Sequence, residues 1–170
     1  MENQRLIISL LVNNESGVLT RISGLFARRG FNIDSLSVGE TENPRISRIT
    51  IQAAGDEYVR SQIMHQLGKL HDVKKVALMD AAQTVLRELL LVKVHANPDT
   101  RGQVLDAVTV FRAKVIDLTP TTMTMELTGE CTKLDAFITY LDPLGIIEVC
   151  RTGVTAIGRG DYVLKTNEEE

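Results

Sequence analysis

Residues 6–30 decide the fold, and they read LIISLLVNNESGVLTRISGLFARRG. Residues 6–12 are apolar on both faces apart from Ser9, which predicts a central strand covered on both sides. After the loop NNESG, apolar residues recur at helical spacing at Val18, Leu19, Ile22, Leu25 and Phe26. Two arginines and Gly30 follow, as is typical of a helix C-terminus. The stretch therefore predicts a strand, a short loop and an amphipathic helix.

The remainder of the first half alternates in the same way. We predict a strand with a bend near Asp34 and Ser35, a turn, a second strand, a helix and a final strand. Their ranges are 31–38 for the bent strand, 41–44 for the turn, 46–53 for the next strand, a helix from about residue 56, and 73–79 for the last strand. The order is strand, helix, strand, strand, helix, strand.

The same order repeats in the second half of the chain. At one constant offset Ile49 aligns with Met123 and Gly55 with Gly129, although few residues are identical. The repeat predicts strands at 86–94, 115–118, 123–127 and 146–152, and a helix at 134–141. A further helix is expected to begin at a capping box formed by Thr100 and Gln103. The chain is therefore expected to hold two copies of one architecture.

A βαββαβ order forms an antiparallel four-stranded sheet with both helices on one face. We therefore predict an α+β protein with two ferredoxin-like domains. The predicted boundaries are a first domain at 1–79, a linker at 80–85, a second domain at 86–165 and a frayed tail at 166–170. Ile7 and Leu11 would face away from the helices of the first domain. Because a small sheet cannot leave such a face in water, packing between the copies or a homodimer is expected to cover it.

Composition and charge argue against several classes of function. The chain has 19 Lys and Arg residues against 22 Asp and Glu residues, and only 4% aromatic residues, which argues against a nucleic-acid partner. No apolar run is long enough to cross a membrane, and the N-terminus does not look like a secretory signal. These features predict a cytoplasmic protein. The histidines and cysteines lie in no metal-binding or catalytic pattern, so no metal site and no catalytic residues are expected.

The loop NNESG at residues 13–17 is the best candidate for a binding site. The first amides of a helix are free donors at the positive end of its dipole, and Gly17 would let a carboxylate approach them closely. Asn14 adds an amide that can both donate and accept hydrogen bonds. In an alternative interpretation, Asn14 or Ser16 caps the helix and Gly17 only eases the turn. An acylphosphatase-like enzyme would need an arginine in this loop, and the loop has none.

The sequence resembles the acetolactate synthase regulatory (small) subunit family over nearly its whole length. The resemblance is carried by residues 13–36, NNESGVLTRISGLFARRGFNIDSL, and by SRITI at 47–51, LDAF at 134–137 and the stretch from Gly153 to RGD at 159–161. The N-terminal half resembles the ACT domain, a dimerising βαββαβ module that binds amino acids at its interface.

The resemblance implies a regulatory role in valine, leucine and isoleucine biosynthesis. Members of this family have no catalysis of their own and activate a separate catalytic subunit. That subunit carries thiamine diphosphate, Mg²⁺ and FAD, and it condenses two pyruvates, or pyruvate with 2-oxobutyrate. This chain is then expected to bind no cofactor, to form a homodimer through the ACT domain and to confer inhibition by valine.

Carried over by position, the residues of the valine site would be Asn14, Gly17, Val18, Leu19, Thr20, Asn32 and Ile33. The second copy lacks this pattern because NPD at 97–99 replaces the glycine-containing turn, so it is not expected to bind the same ligand. The alternative function is an amino-acid-responsive ACT regulator of a different enzyme.

Overall fold

The computed structural model describes residues 4–166 and divides them into two compact units. The first unit contains residues 4–86 together with 153–166, and the second contains residues 87–152. Both units have the predicted βαββαβ order, so the α+β class and the internal repeat are confirmed. We label the strands β1–β9 and the helices α1–α4.

The first unit contains β1 (Gln4–Asn13), α1 (Val18–Arg28), β2 (Ser35–Glu40), β3 (Ile46–Gly55), α2 (Glu57–Leu67) and β4 (Val73–Leu78). Its antiparallel sheet has the strand order β2-β3-β1-β4. One face packs on the helices through alternate residues of β1, namely Leu6, Ile8, Leu10 and Val12. Ile22, Phe26, Ile63 and Leu67 contribute the helical side of this core.

The second unit contains most of β5 (Thr84–His95), then α3 (Arg101–Phe111), β6 (Lys114–Leu118), β7 (Thr122–Gly129), α4 (Cys131–Leu141) and β8 (Ile146–Arg151). Its strand order, β6-β7-β5-β8, repeats that of the first unit. The core is built from Leu90, Val92 and Val94 of β5, three residues of β7 and the apolar side of α4. The short strand β9 (Thr155–Gly158) pairs with β5, whose first residues lie in the first unit.

The predicted domain boundary at residue 165 is wrong, because residues 153–166 belong to the first unit. The Ser37 hydroxyl donates a hydrogen bond to the Val154 carbonyl at 2.9 Å. Gly153 has a φ of 79°, and a Cβ added to it would lie 3.1 Å from the Ser35 Cβ. The close contact between the backbone at residue 153 and the start of β2 therefore requires glycine. The predicted frayed tail begins at Thr166, which is 8% exposed, and its other residues, 167–170, lie outside the described part of the chain.

This C-terminal segment covers the sheet face that points away from the helices. Ile7, Ser9 and Leu11 lie on that face and are 6%, 0% and 5% exposed. Val154, Ala156 and Leu164 of the segment are buried as well. A second copy is therefore not needed to cover β1. The homodimer stays a prediction, but an uncovered face of β1 is no longer a reason for it.

The predicted strand at 31–38 starts too early, because β2 begins at Ser35. The amide of Phe31 donates to the Phe26 carbonyl at 3.0 Å, and the amide of Gly30 donates to the Ala27 carbonyl at 3.2 Å. Together with the φ of 68° at Gly30, these bonds form a Schellman motif that ends α1. The Phe31 ring also packs edge-on against Phe26, with ring centroids 6.3 Å apart. Phe31 therefore completes the helix end instead of starting the strand.

Two further local predictions differ from the structure. The capping box is absent, because Thr100 makes no side-chain cap on α3. Instead the Asn97 Oδ1 accepts from the amides of Asp99 and Thr100, both at 3.0 Å, in an Asx turn. The predicted linker at 80–85 holds a 3₁₀ turn at Ala81–Gln83 and the first residues of β5.

A charged cluster lies inside the second unit. Glu88 is 5% exposed. Arg151 donates hydrogen bonds to both of its carboxylate oxygens, from Nε at 2.9 Å and from Nη2 at 2.7 Å. The Nη1 of Arg151 also donates to Asp135 at 2.7 Å, and the Cys131 thiol donates to Glu88 at 3.3 Å. The hydrogen bonding of its guanidinium to the Glu88 carboxylate is the main cause that raises the pKa of Arg151. The ion pair between Glu88 and Arg151 therefore links β5 to β8.

Arg151→Met should lower the free energy of unfolding by roughly 3 kcal/mol, because the buried carboxylate of Glu88 loses the two hydrogen bonds and the charge that Arg151 supplies. The double variant Glu88→Met/Arg151→Met should recover most of that loss, since it buries no carboxylate. Lys93→Met breaks an exposed ion pair with Glu148 at 3.7 Å and should cost under about 1 kcal/mol. Denaturant unfolding of the three variants checks this. Equal losses in Arg151→Met and Lys93→Met would contradict it.

Candidate ligand-binding site

The loop between β1 and α1 is fixed by backbone hydrogen bonds from both sides. The amide of Asn13 donates to the Asp72 carbonyl at 2.9 Å, and the amide of Asn14 donates to the Arg45 carbonyl at 2.8 Å. The first bond joins the loop to the turn before β4, and the second joins it to the β2–β3 hairpin. The loop is therefore anchored to the sheet, while residues 14–17 remain exposed.

Helix α1 begins without a side-chain cap. Its N-cap residue is Gly17, in the left-handed region at φ of 86°, and neither Asn14 nor Ser16 accepts a hydrogen bond from the first turn. The capping interpretation is therefore wrong for these side chains, although Gly17 is required by the turn. Within residues 4–166, the amides of Leu19 and Thr20 have no acceptor. They form an open donor pair at the positive end of the helix dipole.

The Asn14 side chain is held in one orientation by the β2–β3 hairpin. Its Nδ2 donates to Glu40 Oε1 at 3.0 Å and to the Pro44 carbonyl at 2.9 Å. Both protons of the amide are thereby used, so Oδ1 is free to accept from a ligand. A cavity of about 470 Å³ opens beside Asn14, and Arg45 and Lys74 also line it.

The helix N-terminus also has a cationic side chain beside it. Arg21 forms an ion pair with Asp72, which is 11% exposed at its side chain, while Arg21 is 50% exposed. The guanidinium lies so close to the turn that a Cβ on Gly17 would be 3.3 Å from Arg21 Nη1. Free amides, the helix dipole and this guanidinium together favour a bound carboxylate.

The seven predicted site residues fall into three groups. Asn14, Gly17, Leu19 and Thr20 lie together at the start of α1, and Leu19 is 43% exposed. Val18 is 3% exposed and packs in the core, so its side chain does not line this surface. Asn32 and Ile33 follow the end of α1, where Asn32 donates to Asp34 Oδ1 at 2.7 Å.

The sheet register places the residues at the start of α1 and the pair Asn32 and Ile33 at opposite ends of the first unit. Glu40, which Asn14 contacts, pairs with Ser47, whereas Ser35 pairs with Gln52, which also accepts the Asp34 amide. Five residues of strand separate the two positions, or about 16 Å. One small ligand cannot touch both groups within a single chain.

Sequence reasoning missed three residues of this site. Glu40 orients Asn14, and Arg21 adds positive charge. The backbone carbonyl of Arg45 accepts a hydrogen bond from the amide of Asn14. Only the helical spacing of Arg21 from Gly17 could have indicated one of them. The other two depend on the strand register.

The described residues hold neither a metal centre nor a membrane-spanning helix. No group of three His, Cys, Asp or Glu side chains in residues 4–166 is arranged to hold a metal ion. Over the same residues, no helix has the length and apolar character needed to cross a membrane.

Comparisons with known proteins match both halves of the chain. The family described as "AHAS small subunit-like ACT domain" matches residues 8–75, and the family described as "Small subunit of acetolactate synthase" matches residues 87–160. The second match extends past the structural boundary at residue 152.

Curated relatives match almost end to end. The probable acetolactate synthase small subunit of Methanothermobacter thermautotrophicus is 48% identical over 96% of this chain and 98% of its own length. The acetolactate synthase isozyme 3 small subunit of Escherichia coli is 45% identical over 95% of this chain and 99% of its own length. The crystal structure of the acetolactate synthase small subunit of Thermotoga maritima covers 94% of this chain and 99% of that one, with 38% identity and a TM-score of 0.86.

Proposed function

The chain belongs to the acetolactate synthase small-subunit family, and we propose that it activates a separate catalytic subunit and makes the complex sensitive to valine. The main support for this proposal is that two family models of the acetolactate synthase small subunit match the two halves of the chain. Relatives named as acetolactate synthase small subunits also match it over nearly its whole length. The match at full length also favours this enzyme over another ACT-regulated one. The role lies in the biosynthesis of valine, leucine and isoleucine.

In this proposal the chain contributes no catalytic group. Thiamine diphosphate, Mg²⁺ and FAD belong to the catalytic subunit, which carries out the condensation of 2-oxo acids. The small subunit acts by binding that partner and by changing its activity when valine is bound. The complex works in the cytoplasm, and nucleic acid and membrane have no part in it.

The open start of α1 supports valine as the effector. Its carboxylate would accept from the amides of Leu19 and Thr20, with Gly17 leaving room for it. Its ammonium group would donate to Oδ1 of Asn14, the acceptor that the hairpin contacts leave free. The exposed side chain of Leu19 offers an apolar contact to the isopropyl group.

A two-fold dimer reconciles the two separated groups of site residues. Strand β2 is an edge strand of its sheet, and Val38 on it is 49% exposed. Two-fold pairing of β2 with β2 of a second copy is antiparallel and continues the sheet across the dimer. It would bring Asn32 of the partner subunit toward the end of β2 where Glu40 holds Asn14. The effector site would then be shared by the two chains, and this is the new reason for the homodimer.

The purified chain should show no acetolactate synthase turnover by itself and should raise the turnover of the purified catalytic subunit. The reason is that the proposal places all reacting groups on the partner. Steady-state assays of each subunit alone and of their mixture, together with a pull-down, check this. Thiamine-dependent turnover by the small subunit alone, or no association with the catalytic subunit, would contradict the proposed function.

Gly17→Asp should abolish valine inhibition while activation of the catalytic subunit is kept. An aspartate there blocks the free amides and repels the valine carboxylate. Asn14→Ala should raise the half-inhibitory valine concentration about ten- to a hundredfold, since it removes a hydrogen bond to a charged group. Titrating valine against the reconstituted complex measures both.

The matched control is Gly145→Asp, in the second unit. Gly145 also has a positive φ, of 92°, and an added Cβ would lie 3.1 Å from Cδ2 of His95, so both aspartates carry a similar backbone strain of about 1 kcal/mol. Gly145→Asp should therefore lose stability like Gly17→Asp but keep valine inhibition. An unchanged half-inhibitory concentration in Gly17→Asp would place the effector site elsewhere.

A further inference from the structure

A second cavity lies within the first unit, on the sheet face opposite the helices. Its volume is about 340 Å³, within the range of small-molecule sites. Leu11 and Ile46 form the side given by the sheet, and Ile157 and Leu164 form the side given by the C-terminal segment. The cavity therefore exists only because residues 153–166 fold back onto this sheet.

Arg48 brings an unsatisfied positive charge to this cavity. Its Nε donates to the Ser9 hydroxyl at 3.0 Å, but its Nη2 is buried and has no hydrogen-bond partner among residues 4–166. No carboxylate of residues 4–166 forms an ion pair with it. Burial lowers the pKa of Arg48, and attraction to Tyr162 and Glu42 offsets this only in part. A buried donor of this kind needs an acceptor, and the described part of the chain does not supply one.

Among residues 4–166, the other charged groups that line the cavity are acidic. Glu40 and Glu42 of the β2–β3 hairpin line it together with Arg48, and Glu42 is exposed. A simple anion in this cavity would be attracted by the Arg48 guanidinium but repelled by the carboxylates of Glu40 and Glu42. A ligand that carries both a carboxylate and an ammonium group matches both kinds of charge, and the apolar walls suit a short aliphatic side chain.

On the side of the cavity formed by the C-terminal segment, Tyr162 packs closely against Gly158. A Cβ on Gly158 would lie 2.2 Å from Cδ1 of Tyr162, so the ring of Tyr162 rests directly on the glycine backbone. Both residues line the cavity. They fall in or beside the stretch from Gly153 to RGD, which the effector site at α1 leaves unused.

We propose that this cavity is a second amino-acid site, in which an aliphatic α-amino acid places its carboxylate on Arg48, its ammonium group at Glu42 and Glu40, and its side chain against Leu11 and Ile157. The site lies within one chain and needs no dimer. It rests on the proposed function only for the choice of valine as the probe.

The two amino-acid sites are joined by one hydrogen bond. Glu40 accepts from Asn14 at 3.0 Å and also lines this cavity. An ammonium group bound at Glu40 competes with Asn14 for the same carboxylate, so occupancy of the cavity changes how firmly Asn14 is held. Coupling between the sites is then reciprocal.

The experiment uses the full-length chain carrying Gly17→Asp, so that the effector site at α1 is blocked. Valine is titrated while the methyl NMR signals of Leu11, Ile157 and Leu164 are followed. These signals should shift, and adding Arg48→Met should weaken the binding about ten- to a hundredfold. Arg29→Met, which removes an exposed arginine of the same unit, should leave the binding unchanged. If Arg48→Met does not fold, Arg48→Lys should still weaken binding severalfold, because the lysine lacks the forked donors.

Two analogues of valine separate the roles of its charges. 2-Oxoisovalerate lacks the ammonium group and isobutylamine lacks the carboxylate, so both should shift these signals only at much higher concentration than valine. Absence of any shift with valine, or equal binding with and without Arg48, would overturn the proposed site. Equal binding of valine and 2-oxoisovalerate would overturn its pairing with the acidic hairpin. None of these readings depends on valine inhibition, so failure of this site and failure of the proposed function are distinguishable.

Discussion

Strand β1 carries apolar side chains on both of its faces, and the first sheet therefore needs cover on both sides. Helices α1 and α2 cover one face, and residues 153–166 return from the far end of the chain to cover the other. Small side chains such as Ser35 and Ser37, and the glycine at 153, allow the backbone of this segment to lie close to the sheet. Covering both faces leaves strand ends and sheet edges as the places where ligands and partners can bind.

The candidate effector site follows from that constraint. The loop at the end of β1 must turn sharply into α1, and Gly17 makes this turn with a positive φ and without a side-chain cap. The uncapped amides of the first turn then remain available to a carboxylate. Asn14 is oriented by Glu40 and Pro44, so the hairpin beside the loop shapes the site as much as the loop does. The remaining site residues, Asn32 and Ile33, lie at the far end of the sheet, which favours a site completed by a second chain.

Local patterns in the sequence predicted the elements well and their long-range partners poorly. The apolar spacing from Val18 to Phe26, with Gly30 after it, predicted α1 correctly because helix signals are local. The sequence pattern places Phe31 in a strand because its contact with Phe26 is a helix-end contact that strand alternation does not reveal. For the second face of β1 the sequence leaves two alternatives, packing between the copies in one chain or a homodimer, because nothing local in residues 153–166 says which sheet they cover. The roles of Glu40 and Arg48 depend on strand register, which one sequence does not specify.

The most direct test of a shared effector site uses dimers built from two different chains, Gly17→Asp and Asn32→Ala, co-expressed with different tags and isolated as the mixed species. Each variant alone should bind valine poorly at the α1 site. If each site combines Gly17 of one chain with Asn32 of the other, the mixed dimer contains one doubly changed site and one intact site. Calorimetry in the Arg48→Met background, which weakens the second cavity, should then find about half of the high-affinity valine sites restored, together with partial inhibition of the catalytic subunit. No recovery of valine binding in the mixed dimer would show that each site lies within one chain, and would contradict the account.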